Sequence, residues 1–292
     1  MDPRALLLGL LFALAWSSAF TSARIIVAEA PPLLSLSLRF ALSGALGLAL
    51  GRLAGERLTL DRRAWAAIVV FGLCQNALYL GLNFVAMQRI EASLAAIVAS
   101  TLPLLVALVN WVAFSERTRP LGVAGLAAGT AGVLLIMGTR LSGGADVAAV
   151  AMCVAGVVAL TVATLTVKGA TGGGGILSVV GLQMLVGSLA LLPLGLALET
   201  WEVTWTPTLT AAFAYTTVVP GLLATWIWFL LVRRIGATPA ATFHFLNPFF
   251  GVVIAWALLG ERLGPLDAVG VVVIAGGILA VQVSRMRAAR AT

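Results

Sequence analysis

Ten stretches of this sequence stay apolar for long enough to cross a bilayer, and that run of lengths leaves the chain very few folds. They cover residues 5–27, 33–51, 64–87, 93–114, 120–138, 147–167, 176–198, 208–232, 237–259 and 265–284. A helix of about 20 residues spans the hydrocarbon core. Inside lipid every backbone N–H and C=O must find a partner within the protein, which favours helices. Composition agrees: 61% of residues are hydrophobic and 10% are charged, against about 25% charged in soluble domains. The expected fold is an all-α integral membrane protein with ten transmembrane helices. The links between spans are short, so no sizeable extramembrane domain is expected. Residues 1–24 resemble a signal peptide, but the apolar run continues to Val27 without a clear cleavage site and is taken as a first span.

The net charge of +7 does not indicate nucleic acid, because the basic residues gather at span ends. Thirteen Lys and Arg fall on the side of the N-terminus, while Arg24, Arg89, Arg140 and Arg262 fall on the other. This bias predicts that both termini are cytoplasmic. Cys74 and Cys153 lie in apolar spans with no CxxC spacing, so they are expected to be core residues. The glycines of Thr171–Gly175 form a linker, lacking the lysine and the preceding strand of a phosphate loop. No cofactor, metal or ATP signature appears, and no nucleophile pattern of an enzyme.

An internal duplication organises the chain. Residues 89–125 and 234–270 align without a gap at a displacement of 145, with 12 identities in 37 pairs. Alanine matches are cheap in this composition. Pro103/Pro248 and the Trp-x4-Glu-Arg-x2-Pro spacing are not: Trp111, Glu116, Arg117 and Pro120 repeat as Trp256, Glu261, Arg262 and Pro265. Ten spans and one duplication give five spans per half, over residues 1–140 and 141–292. Five is odd, so the halves enter the membrane from opposite sides. Such inverted repeats are the frame of many transporters. Glycine spacings (Gly47/Gly51, Gly125/Gly129 and the Gly276-Gly277 pair) predict close helix packing rather than a dimer face.

Polar residues inside spans mark candidate lining groups. In the third span Asn76, Tyr79 and Asn83 are spaced to share one helix face, beside Gln75. Trp16 and Phe20 can form an aromatic wall in the first span, which also holds Ser17, Ser18 and Thr21. Thr161, Thr164 and Lys168 make a weaker stripe in the sixth, where hydroxyls often bond back to their own helix. Arg39 is expected to snorkel to headgroups or to pair with Glu29 rather than to contact substrate. The ninth span carries His244, the only histidine, together with Asn247. His244 has three possible roles: proton carrier, hydrogen-bond donor to substrate, or satisfied core residue. A neutral, hydrogen-bonding imidazole is the reading adopted. Pro248 and Pro103 each remove a backbone hydrogen bond, freeing the carbonyls of His244 and Ala99. Ser100 and Thr101 stand ready to satisfy that backbone in the first copy. Both prolines are expected bending points, and freed carbonyls can accept a substrate ammonium. No Asp or Glu lies mid-span, which argues against strong proton coupling.

At these residues the chain resembles the drug/metabolite transporter superfamily, EamA type. The matching features are Trp16-Ser-Ser-Ala-Phe20, Leu38-Arg39-Phe40, and the repeated proline and Trp-x4-Glu-Arg-x2-Pro pattern. Within that superfamily it looks most like the YddG-type exporters of aromatic amino acids. The resemblance implies two inverted repeats of five helices, a central cavity, and amino-acid export across a bacterial inner membrane. The expected function is a secondary transporter or facilitator for amino acids, aromatic ones favoured, acting as a monomer. Trp16, Asn76, Tyr79, Asn83, Ser100, Thr164, His244 and Asn247 are the candidate path-lining residues. The alternatives are another small metabolite or drug on the same fold (a purine, a cationic drug or a sugar-phosphate) and, from other classes, a membrane-embedded enzyme or a scaffold.

Overall fold

Helix starts follow from local chemistry. Proline, whose missing N–H costs nothing in a first turn, stands at the head of α2 (Pro32–Leu53), α5 (Pro120–Ser142), α8 (Pro207–Leu231) and α10 (Pro265–Ala289). Asp61 caps α3 (Arg62–Ala86) by accepting the Ala64 N–H at 2.7 Å. Thr206 caps α8 in the same way through the Leu209 N–H at 3.0 Å. In a computed structural model, the described residues are 3–113, 119–170, 175–235, 240, 242–262 and 264–289. The remaining helices are α1 (Pro3–Glu29), α4 (Ala92–Val112), α6 (Val147–Ala170), α7 (Ile176–Leu198) and α9 (Asn247–Leu259). Among the described residues there is no strand, and nine helices are long and apolar enough to cross a membrane. The tenth, α9, is a shorter apolar helix. Glu116, Arg117 and the glycine linker 171–174 lie outside the described residues, as does the side chain of Lys168.

Landmarks of the structure recur at the displacement read from the sequence. The caps Asp61 and Thr206 keep it, as do the starts of α3 and α8 and those of α5 and α10. Two segments of wider, π-type winding, Gly72–Leu80 in α3 and Thr217–Leu223 in α8, also begin at equivalent positions of the two copies. Pro220 explains the second: without an N–H it cannot close an α-turn, and the backbone bonds one residue further on, as from Ala224 N–H to Val219 O.

The proline positions are corrected. Both are drawn above as bends inside a helix. In α4 the first half-helix is Ala92–Ala99, a turn follows at Ser100–Thr101, and the second half-helix starts at Leu102. In the second copy a short 3-10 turn, Thr242–Leu246, leads into α9 at Asn247. Pro103 and Pro248 therefore sit in the first turns of resumed helices, where proline is tolerated. The helix breaks lie just before them.

The chain divides into two compact units, and each draws on both halves of the sequence. One comprises Met1–Thr21, Ile90–Val150 and Ile227–Thr292. Within it α5 packs on α10 along facing glycines. A Cβ on Gly125 would lie 2.7 Å from Gly277 O, and one on Gly277 would lie 2.7 Å from Gly125 O, so only hydrogen fits there. Gly276 of the same pair has nothing near it and is not part of the seam. Ile97, Leu104, Ile136, Val252, Ile274 and Ile278 form this unit's apolar core, from α4, α5, α9 and α10. Arg140 at the end of α5 clasps Asp267 of α10 through two nitrogens and also pairs with Glu91 before α4. Glu261, just after α9, accepts the Ala92 and Ser93 N–H groups at 2.7 and 3.0 Å, filling the orphan donors of α4's first turn.

The other unit comprises Ser22–Arg89 and Ala151–Trp226. Here α2 packs on α7, with a Cβ on Gly181 placed 2.7 Å from Gly44 O. The pairing is reciprocal. Ser37 and Ser188 each donate to the other's carbonyl, at 3.0 and 2.9 Å. Glu56 accepts the Leu177 and Ser178 N–H groups of α7, and Glu199 accepts the Leu33 and Leu34 N–H groups of α2. Two antiparallel helices are thus capped at opposite ends by each other's trailing glutamates.

Candidate functional site

The break before α9 builds the more open of two polar clusters. It lies in the unit that holds α4, α5, α9 and α10. Its centre is the His244 imidazole, half-buried on the 3-10 turn. The Phe12 ring stands edge-on to it with centroids 5.2 Å apart, and the Trp228 ring lies at 5.1 Å. Phe12 contacts Trp228 at 5.0 Å and Trp16 at 5.7 Å. Phe12 itself is sealed, whereas Trp16 and Trp228 are half-buried and keep apolar surface for a further group. Helical spacing puts Gly9, Phe12, Trp16 and Ser17 of α1 on this side. Gly9 leaves room for the Phe243 ring, and the Ser17 hydroxyl donates to Asn247 O at 3.3 Å.

Asn247, the first residue of α9, holds the imidazole. Its amide nitrogen lies 2.9 Å from His244 Nδ1. With the amide as donor, Nδ1 accepts and the neutral ring carries its proton on Nε2. The Asn247 Oδ1 atom is buried with no partner. A buried carbonyl oxygen without a donor is costly, and it is a ready acceptor for an N–H group.

The second cluster lies in the other unit, on the π-type segment of α3 and the α-helical turn after it. Asn76, Tyr79 and Asn83 are all buried. Asn76 donates its amide to Gln183 O of α7 at 2.8 Å. Asn83 donates to Tyr79 O at 2.8 Å and leaves its Oδ1 unpartnered. Gly156 of α6 lets that helix approach: a Cβ there would sit 3.0 Å from the Asn83 amide nitrogen.

The structure treats the expected lining residues unequally. Trp16, His244 and Asn247 come together in the first cluster, and Asn76, Tyr79 and Asn83 in the second. The hydroxyl of Ser100 is buried and donates to Ile97 O at 2.6 Å, and that of Thr164 donates to Leu160 O at 2.7 Å, so both serve their own helices. Trp16 stacks with Phe12 rather than Phe20, and rings from α1 and α8 stand against His244. Phe12 and Trp228 are additions that the sequence reading missed. Phe12 stands one turn before Trp16, and Trp228 lies in the aromatic run Trp226–Phe229, which was the available signal. Arg39 does not snorkel and does not pair with Glu29: it is buried, and its Nη1 donates to Thr216 O at 3.4 Å.

The EamA-like transporter family model matches the chain twice, over residues 3–138 and 147–282. The chain belongs to the EamA-like transporter family. It is thus a multi-pass helical membrane transporter built on two family repeats, and its expected family and fold both hold. It is 29% identical to the inner membrane transporter YedA of Escherichia coli K12 over 284 residues, covering 92% of this chain and 89% of that protein. It is 27% identical to the transporter YvbV of Bacillus subtilis over 262 residues, 89% of this chain and 85% of the other. The aromatic amino acid exporter YddG of Ancylobacter novellus is 33% identical over 139 residues, 48% of each chain. One solved crystal structure superposes with a TM-score of 0.69 at 22% identity, covering 98% of this chain and 99% of the other, which attests the shared fold.

Proposed function

We propose that this transporter exports amino acids, aromatic ones favoured, across a bacterial inner membrane by alternating access. The observation that carries the reading is the His244 cluster. Half-buried Trp16 and Trp228 offer flat apolar surface to a planar side chain. The unpartnered Asn247 Oδ1 and the imidazole Nε2–H offer one acceptor and one donor beside it. The arrangement occurs where a helix is discontinuous, the place where transporters commonly bind cargo. The partial likeness to an aromatic amino acid exporter supports the same reading. Trp16, His244 and Asn247 contact the cargo. Asn76, Tyr79 and Asn83 belong to its path, and the breaks before Pro103 and Pro248 are the bending points. The inner-membrane setting follows the naming of YedA. The excess of basic residues on one side puts both termini in the cytoplasm. The unit of function is a monomer, and transport is facilitated rather than driven by protons.

The test is counterflow in proteoliposomes. Purified protein is loaded with an excess of unlabelled amino acid and supplied with labelled phenylalanine, tryptophan, leucine or glutamate outside. Accumulation of the aromatic amino acids ahead of glutamate, with or without a pH gradient, is the expected result. Failure to move any amino acid would sink the proposal. Movement only under a pH gradient, abolished in a folded His244→Ala protein, would replace facilitation with proton coupling through that imidazole.

A further inference from the structure

Two charged side chains are buried among the described residues, and they are treated in opposite ways. Asp267 lies against Arg140 at 2.9 Å, in an ordinary ion pair. Arg39, 4% exposed in the middle of α2, has no carboxylate within reach. Four of the five carboxylates of its own unit are occupied elsewhere, and the fifth, Glu202, is exposed. Glu29 takes the Thr206 hydroxyl, Glu56 and Glu199 take the helix starts of α7 and α2, and Asp61 caps α3.

What surrounds the guanidinium is weakly committed to it. The charge lies 4.5 Å above the Phe40 ring and 5.8 Å from the Phe84 ring, two faces that attract a cation without using its hydrogens. Of its N–H groups, Nη1 reaches Thr216 O at a long 3.4 Å, and Nε has no acceptor at all. A guanidinium is built to donate two parallel bonds to a carboxylate. Thr216 stands four residues before Pro220, so its carbonyl lacks the usual α-helical donor and lies at the head of the π-type segment. Ser43, one turn after Arg39 on α2, takes the next carbonyl, that of Thr217, at 2.8 Å. The widened segment of α8 is thus gripped by two side chains of α2, one firm and one loose.

We infer that Arg39 is the carboxylate-binding group of the transporter. A compact carboxylate on the cargo takes the Nε and Nη edge of the guanidinium, and the 3.4 Å bond to Thr216 O is given up. The released carbonyl then accepts an N–H from an α-ammonium, where the cargo has one. This deepens the proposed transport function and rests on it, but it depends neither on aromatic selectivity nor on the His244 cluster, which belongs to the other unit. It states that the cargo carries a carboxylate, and that a cargo without one is refused.

The experiment uses the full-length protein in detergent and in proteoliposomes. Thermal-shift binding is measured with phenylalanine, phenethylamine, which lacks the carboxylate, and 3-phenylpropionate, which lacks the ammonium. In the unaltered protein phenylalanine and 3-phenylpropionate should bind, and phenethylamine should bind about thirty-fold more weakly than phenylalanine, the scale of a lost charge-assisted pair. In Arg39→Gln that preference should vanish, through weaker phenylalanine binding with phenethylamine unchanged. Arg39→Lys should recover part of it. Equal binding of phenethylamine and phenylalanine to the unaltered protein overturns the inference, even if Arg39→Gln does not fold. So does a folded Arg39→Gln protein that keeps the preference, which would leave Arg39 as a grip on α8 alone. The two proposals fail separately. If no amino acid is carried but 3-phenylpropionate binds in an Arg39-dependent way, amino-acid export falls and the carboxylate site stands. If neither acid binds, the carboxylate site falls.

Discussion

The two copies of the duplicated break, before Pro103 and before Pro248, start from one design and end with different chemistry. In α4 the interruption is short, at Ser100–Thr101, and it is closed on itself. Ser100 donates to Ile97 O and Thr101 to Val98 O, both three residues back, at 2.6 and 2.7 Å. In the second copy the interruption is a 3-10 turn carrying an imidazole, and Asn247 opens the next helix. Its polar atoms bond to each other and leave Asn247 Oδ1 over, among rings drawn from α1 and α8. Both breaks resume as helix at equivalent positions of the repeat, Leu102 and Asn247. The helix restarts at the same place in both copies, but one closes its polar atoms on itself and the other keeps unspent hydrogen-bonding capacity. An unsatisfied buried group is expensive, so it marks a place where something other than stability is served.

That contrast can be broken most sharply at His244. His244→Ala removes the ring that Phe12 and Trp228 face and the partner of Asn247. Counterflow should fall about a hundred-fold, while Ser100→Ala stays within about two-fold, a gap in transition-state stabilisation of about 2.7 kcal/mol. Equal effects at the two positions would erase the distinction. Next in size is Gly251→Leu. A Cβ at Gly251 would lie 2.6 Å from the Ala96 Cβ, where α9 meets the first half of α4. Overpacking of this kind costs about 1–3 kcal/mol, visible as a lower melting temperature of the detergent-solubilised protein. Unchanged melting would show that α4 and α9 separate freely. Asn247→Leu should then cut transport about ten-fold with little loss of stability, because it discards an unpaired buried carbonyl together with the bond to His244. A large loss of thermal stability instead would make Asn247 a structural residue. The reverse pattern is expected at the closed break. Ser100→Ala with Thr101→Val should cost about 1 kcal/mol per lost bond, read by thermal unfolding, and leave counterflow near normal. Smallest is Glu261→Gln, which keeps an acceptor for only one of the two α4 N–H groups and should cost about 0.5–1 kcal/mol. No measurable shift would show that water serves the α4 start equally well.

Much of the candidate site was legible residue by residue. His244, Asn247 and Trp16 stood out because lipid penalises polar groups and because aromatic residues stay visible in an aliphatic chain. The prolines pointed within a few residues of both breaks. Their detailed placement did not follow, since a proline removes one N–H and leaves several ways to repair the loss. Ser100 and Thr164 look like lining groups in sequence but spend their hydroxyls on their own helices, a choice made by local rotamers. Arg39 was misjudged because depth along a span does not reveal what the neighbouring helices place beside it.

The family was legible as a resemblance in motifs, and by itself the sequence determined the ten apolar segments and the five-plus-five duplication at its constant displacement. These are consequences of hydrophobic length and repeated spacing, which act along the chain. Tertiary structure alone decided how pieces of both halves combine into each compact unit, which rings meet His244, and that Arg39 is buried without a counter-charge. Those are choices of partner between residues up to more than two hundred positions apart. Periodicity cannot encode them, because it says which face of a helix is apolar and not which helix will cover it.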